Sequence, residues 1–295
     1  MRSGFLVLLA QVYLLSPMSY GAERSFLFWS DNALNFIGRV QLDNKAVTIV
    51  KQDQGGDVAV AFKAGRLFWS RILEGRILTG NYDGDGATTI LQYSRAGIPG
   101  RAHYLFVDSP RNRLVWTDNS WLYSSDLDGK NVRMLRNDFV TGSEFGFGGV
   151  VLDKSGNMYY LSDNASGSGL FKTNSQGDQR ELILKFPGYK RGLAIDDESK
   201  TLYFAAKNQG VFSFDLNSRV LSILSSPDQN ATSNPIGVAF VPYGTSGGPE
   251  LYWTEQQQCN CIRTLDLKSL KQTDFIQAPG KGIFNLTFGS VGISK

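Results

Sequence analysis

The feature that most constrains this chain is a short motif that recurs six times. It consists of two apolar or aromatic residues, a small residue and often an acid. The copies are Phe28-Trp29-Ser30-Asp31, Phe68-Trp69-Ser70-Arg71, Val115-Trp116-Thr117-Asp118, Tyr160-Leu161-Ser162-Asp163, Tyr203-Phe204-Ala205-Ala206 and Tyr252-Trp253-Thr254-Glu255. The second residues stand at 29, 69, 116, 161, 204 and 253, so the period is 40 to 49 residues. Self-similarity at such a period marks an array of equal structural units. Helical hairpins are excluded, because apolar residues never persist at helical spacing beyond about two turns.

Each unit holds four strand-like pieces. In the third they are Tyr104–Val107, Leu114–Thr117, Trp121–Asp126 and Val132–Leu135, with the hairpin signal Asp128-Gly129 before the last. The same turn recurs as Asp83-Gly84 and in worn form as Asp43-Asn44, Gln176-Gly177 and Leu216-Asn217. The predicted fold is all-β: a six-bladed β-propeller with four-stranded antiparallel blades. The repeat begins at a second strand, Phe26–Ser30, and ends on an unpaired first strand, Ile283–Phe288. The last strand therefore completes the first blade and removes the free edge.

Composition narrows the function classes. The chain has 295 residues, and 42% are hydrophobic, enough for a sizeable core. The net charge of +3 argues against a dedicated polyanion binder. One His and two Cys are too few for a zinc site with more than three protein ligands from those residues. Residues 1–21 read as a secretory signal peptide: a basic start, the apolar run Gly4–Leu15, and Ser19 and Gly21 placed for cleavage before Ala22. Residues 22–295 are then a secreted, extracellular propeller domain, with no later stretch of membrane length. Asn164 and Asn230 begin sequons in polar loops and are candidate glycosylation sites, whereas the sequon at Asn285 lies in an apolar run and should be buried.

The six motifs, the run Ile37–Asp43, the run Gly192–Asp196 and the terminal Phe284-Asn285-Leu286-Thr287-Phe288 resemble the YWTD (class B repeat) propellers of the low-density lipoprotein receptor family. The likeness spans nearly all of residues 22–295. Arg71, Ala206 and Glu255 replace the expected Asp, so a ring of structural Asp hydrogen bonds is expected to be incomplete. The chain reads as a divergent, stand-alone member. The resemblance implies a monomeric, non-enzymatic protein that recognises an extracellular protein or peptide across one face of the disc. Receptors of that family carry a membrane span, whereas no stretch after residue 21 here reaches that length; the charge argues against nucleic acid, and no cofactor is expected.

Candidate site residues fall into three groups. Trp121 breaks the repeat near the face that carries the second-to-third-strand loops, where Phe145, Tyr189 and Arg191 are also expected; aromatic and Arg side chains on loops are hot-spot material. The residues before each first strand should ring the channel mouth, and this register gives Asp57, His103, Gly148, Arg191, Ile236 and Ile283. Asp57, Arg191 and His103 are the candidate contacts for a small ligand there. Two rivals to protein recognition are a calcium-dependent lactonase or esterase, for which Asp57 and Asn285 are the only good oxygen ligands, and a carrier with a closed apolar pocket. Cys259 and Cys261 are expected to form a local disulfide, an intermolecular link or a two-thiol metal contact.

Overall fold

The computed structural model describes residues 24–53, 56–61, 65–97, 102–118, 121–137, 146–164, 167–227, 233–277 and 282–291. The expected signal peptide, Phe145 and Asn230 lie outside them. Twenty-four strands form six antiparallel sheets of four. The second blade runs β4 (Val58–Ala61), β5 (Arg66–Arg71), β6 (Arg76–Asn81) and β7 (Thr88–Gln92) from the inside out. The third runs β8 (Tyr104–Asp108), β9 (Arg113–Thr117), β10 (Trp121–Asp126) and β11 (Arg133–Asn137). The fourth runs β12 (Phe147–Leu152), β13 (Met158–Asn164), β14 (Gly167–Thr173) and β15 (Glu181–Lys185). The fifth runs β16 (Lys190–Asp196), β17 (Thr201–Ala206), β18 (Gly210–Asp215) and β19 (Leu221–Ser225). The sixth runs β20 (Pro235–Val241), β21 (Glu250–Glu255), β22 (Cys261–Asp266) and β23 (Gln272–Gln277). The first blade has β1 (Arg24–Asp31), β2 (Phe36–Gln41) and β3 (Val47–Gln52), with β24 (Ile283–Val291) as its inner strand. The last strand thus closes the first blade, as the sequence phase predicts.

The motif aromatics build the contacts between blades. Trp69 of blade two packs against Phe28 of blade one, Trp116 against Phe68 of blade two, and Trp253 against Tyr203 of blade five. Trp29 closes the ring against Tyr252. All four Trp are buried. The first motif residue points to the next blade and the second to the previous one, because alternate strand residues face opposite ways. Blade four corrects the sequence alignment. There Tyr160 packs with Val115 and Leu122 of blade three, while Leu161 packs with Phe204 of blade five. Tyr160, not Leu161, is the counterpart of the Trp, so the repeat spacings on either side are both 44. The better string match loses to burial, since a one-residue slip would turn every side chain of the strand over.

The small hydroxyl of the motif ties neighbouring elements together. Ser30 Oγ donates to Gly56 O at 2.7 Å and Thr117 Oγ1 to Gly148 O at 3.0 Å, each reaching the next blade. Ser70 Oγ and Thr254 Oγ1 accept from Asp57 N and Gly237 N, both at 2.8 Å. The acid caps the following turn. Asp31 Oδ1 accepts from Ala33 N and Leu34 N, and Asp118 Oδ1 from Trp121 N. The ring of acids is more complete than the sequence suggests. Glu255 does the same work, with Gln257 N on Oε1 at 3.2 Å, and also accepts from Asn234 N at 2.8 Å and Ser233 Oγ at 2.7 Å. In blade two the charge is exchanged: Arg71 pairs with Asp53, which also accepts from Trp69 Nε1 at 3.1 Å. In the corrected register this position is Ser162 in blade four and Ala206 in blade five, and neither carries a charge.

Candidate functional site

In this topology the start of every inner strand and every second-to-third-strand turn lie on one face of the disc. The inner ring has a different register from the expected one. Val58, Leu105, Leu193, Val238 and Leu286 pair with the motif aromatics Trp69, Trp116, Phe204, Trp253 and Trp29, and Val150 pairs with Tyr160. The residues just before these are Asp57, Tyr104, Gly192, Gly237, Asn285 and Gly149. Asp57 was placed correctly; His103, Gly148, Arg191 and Ile236 sit one residue earlier, and Ile283 two. The error arises because the outer-to-inner connections differ in length and hide the phase of the strands they enter.

This ring is a seal rather than an open mouth. Asp57 is fully buried. One carboxylate oxygen accepts from Leu105 N of blade three, and the other accepts from Asn285 Nδ2 of blade one. Burial pushes the Asp57 carboxyl well above its ordinary value, against the opposing pull of backbone hydrogen bonds from Leu105 and Val58. Asp57 therefore bridges three blades and is not poised beside Arg191 to catch a ligand from solvent. Tyr104 is buried as well, and burial raises its phenol strongly. Asn285 is buried, as its apolar flanks suggested.

A cavity of about 210 Å³ lies beyond the seal, inside the channel. Its walls are mainly apolar and include Phe106, Val151, Ile195, Phe240 and Phe288, with Asp57, Tyr104, Asn285 and Thr287 as the polar contributors. Two oxygen-bearing groups suited to calcium, Asp57 and Asn285, face three glycines around the ring. Ca²⁺ takes six to eight oxygens.

The face around the ring carries the second group of candidates. Trp121 is half-buried and packs on the cluster between blades two and three. The Arg191 guanidinium lies 4.4 Å from the centre of the Tyr189 ring, and both residues are half-buried. His103 is half-buried, and its backbone N donates to Thr117 O at 2.8 Å. Leu34 and Leu73, at the turn tips of blades one and two, are 47% and 73% exposed. Sequence reasoning missed both; an apolar residue at a turn tip was the available signal. Cys259 and Cys261 are joined by a disulfide on the corresponding loop of blade six. With Asp274 they form the one cluster among the described residues close enough to hold a metal, but the bonded sulfurs leave only the carboxylate free. Asn164 lies in the hairpin of blade four, paired with Gly167.

This geometry defines a six-bladed β-propeller of YWTD-like build, closed by its last strand. No family model matches the sequence, and none of the curated proteins does. Among solved structures, a chain of a nidogen/laminin complex superposes with a TM-score of 0.74 at 18% identity, over 92% of this chain and 99% of that one. TolB from Acinetobacter baumannii gives 0.69 at 11% identity, over 92% and 67%. A protein from Lactobacillus plantarum gives 0.59 at 14%, over 90% and 99%.

Proposed function

We propose that this chain is a secreted, non-enzymatic member of the YWTD-propeller group that recognises an extracellular protein or peptide on the face bearing Leu34, Leu73, Trp121, Tyr189 and Arg191. The observation that carries this reading is the arc of apolar and aromatic side chains on successive blades, from Leu34 through Leu73 to Trp121. Exposed apolar groups on the same face as an Arg stacked on Tyr are the chemistry of protein recognition. The fold likeness to nidogen, solved in complex with laminin, supports the same use. The leader-like start, the sequons and the disulfide support an oxidising, extracellular setting. For calcium-dependent hydrolysis, the ring supplies one carboxylate and one amide, which is a poor cage.

The test uses the purified chain as bait in its own extracellular fluid, followed by affinity measurements with the captured partner. Leu73→Ser, Trp121→Ala, Phe145→Ala, Tyr189→Ala and Arg191→Ala should include at least two variants weakened tenfold or more. Tyr243→Ala is the control: it is 80% exposed and sits in a loop on the opposite face. Loss of binding only in the Tyr243 variant would assign recognition to the wrong side of the disc. A melting curve with Ca²⁺ against EDTA should show no shift; a clear upward shift would instead revive the hydrolase.

A further inference from the structure

The channel cavity has features that the seal and the outer face leave unused. Phe106, Ile195, Phe240 and Phe288 are all half-exposed, although they line the interior of the disc. Apolar groups left wet in a concave interior are the usual lining of a small-molecule site. An engineered apolar cavity of about 150 Å³ holds benzene, so about 210 Å³ has room for a fused two-ring molecule. A second cavity of about 250 Å³ adjoins it, sharing Leu105, Phe106 and Thr287, and gives a route out at the opposite face.

The polar groups set the chemistry of the occupant. Asn285 spends its amide N–H donors on Asp57 and Val58 O, and its Oδ1 accepts from no described residue. Thr287 lies two residues along β24, on the same side of the strand, and its hydroxyl has no partner among the described residues. One acceptor and one hydroxyl thus stand about 7 Å apart along a strand. No Lys or Arg lines this cavity, so an anion finds no partner there; Lys154 belongs to the lower mouth of the adjoining one. The single acid, Asp57, is fully buried and already accepts from Leu105 and Asn285, so a cation would have to break the seal to reach it.

We propose that the channel binds a flat, uncharged aromatic molecule of about two fused rings carrying one N–H or O–H group, held between Phe106, Phe240 and Phe288 and anchored by Asn285 and Thr287. The site is inside the disc and independent of the protein-binding face.

The experiment titrates the full secreted chain at neutral pH with four probes of one shape: 2-naphthol, naphthalene, 2-naphthoate and 2-naphthylmethylammonium. Calorimetry and the anisotropy of 2-naphthol emission, excited beyond the Trp band, read binding. 2-Naphthol should bind at least tenfold more tightly than either ion. Thr287→Val should weaken 2-naphthol about fivefold, the worth of a typical hydrogen bond, and leave naphthalene unchanged. Ile195→Trp, which fills the cavity from a half-exposed position, should abolish uptake of both neutral probes while the melting temperature holds. No saturable uptake of 2-naphthol, equal binding of an ion, or full binding by the Ile195→Trp protein would each overturn the proposal. Unchanged 2-naphthol affinity in the Thr287→Val protein would overturn the anchor.

Discussion

Around the channel, β12, β16, β20 and β24 lie close side by side, whereas β24, β4, β8 and β12 stand further apart. The residues at one level of the ring account for both halves. On the tight side are Gly149, Gly192 and Gly237. A Cβ on Gly149 would lie 2.7 Å from Leu193 N, one on Gly192 2.3 Å from Ile236 O, and one on Gly237 2.3 Å from Leu286 N. Backbone meets backbone, and no side chain fits. On the wide side the equivalents are Asn285, Asp57 and Tyr104, one side chain for each of the three wider gaps. The bonds Asn285–Asp57 and Asp57–Leu105 span two of them. The closing strand of the ring therefore lies at the junction of the two regimes. A propeller of unequal repeats can stay closed if gaps that glycine cannot tighten are filled and hydrogen-bonded instead.

Gly192→Val tests the tight side and should have the largest effect. The new side chain meets main-chain atoms that cannot rotate away, so blades five and six must separate. Overpacking of this kind costs about 3 kcal/mol, and urea denaturation should show the midpoint fall with the slope unchanged. A loss below about 1 kcal/mol would mean that the tight side has slack, and that the glycines do not set the spacing.

Asp57→Asn tests the wide side. An amide there must turn an N–H toward Leu105 N or toward the Asn285 amide, and one mismatched buried donor costs about 2 kcal/mol. The pH dependence carries a sign of its own. The folded carboxyl is held above its ordinary value by burial, so the folded state keeps its proton to higher pH than the unfolded chain. Stability from this group is complete below about pH 4, the unfolded value, and is lost as pH rises through the folded one. The gap between wild type and Asp57→Asn should be widest at and below about pH 4 and should narrow as pH rises through the folded value. A gap independent of pH would show that the wide side is held by geometry alone.

The fold was legible because its determinants are local and repeated. Aromatic second strands, Asp-Gly hairpins and the unpaired closing strand each fix one feature, and six copies average out single errors. The misreadings, at blade four and at the ring, are slips of one residue, or of two at the closing strand, where Ile283 stood for Asn285. A slip changes no composition and barely changes a motif score, yet it moves a side chain from one interface to the other. The seal was half visible: Asp57 and Asn285 stood out as polar residues at strand starts, but their meeting depends on a separation of 228 residues that no local pattern encodes. Leu34 and Leu73 were passed over because one apolar residue in a turn is common, and only the ring brings them into an arc.

The outer rim repeats the contrast in another form and offers the smallest effects. Gly84, Gly129 and Gly177, in the third-to-fourth-strand hairpins of blades two to four, each rest against a main-chain carbonyl of the preceding blade's outer strand: Val50, Ile90 and Leu135. Blades five and six have Arg219 and Leu270 in those hairpins, at φ of 60° and 56°. Their turns are left-handed but have no glycine to press into a neighbour. Gly129→Ala places a Cβ 2.0 Å from Ile90 O at a φ of +79°, and should cost about 2 kcal/mol through strain and overpacking together. Leu270→Gly removes a 66% exposed side chain and relieves a conformation that disfavours it. It should leave stability unchanged or raise it by about 0.5 kcal/mol, since the relief is partly offset by the freedom glycine adds to the unfolded chain. Melting curves of the two variants should therefore move in opposite directions or by very unequal amounts. Equal losses would mean that blade six also depends on a close rim contact, and that the glycine hairpins are a matter of turn type rather than of blade-to-blade fit.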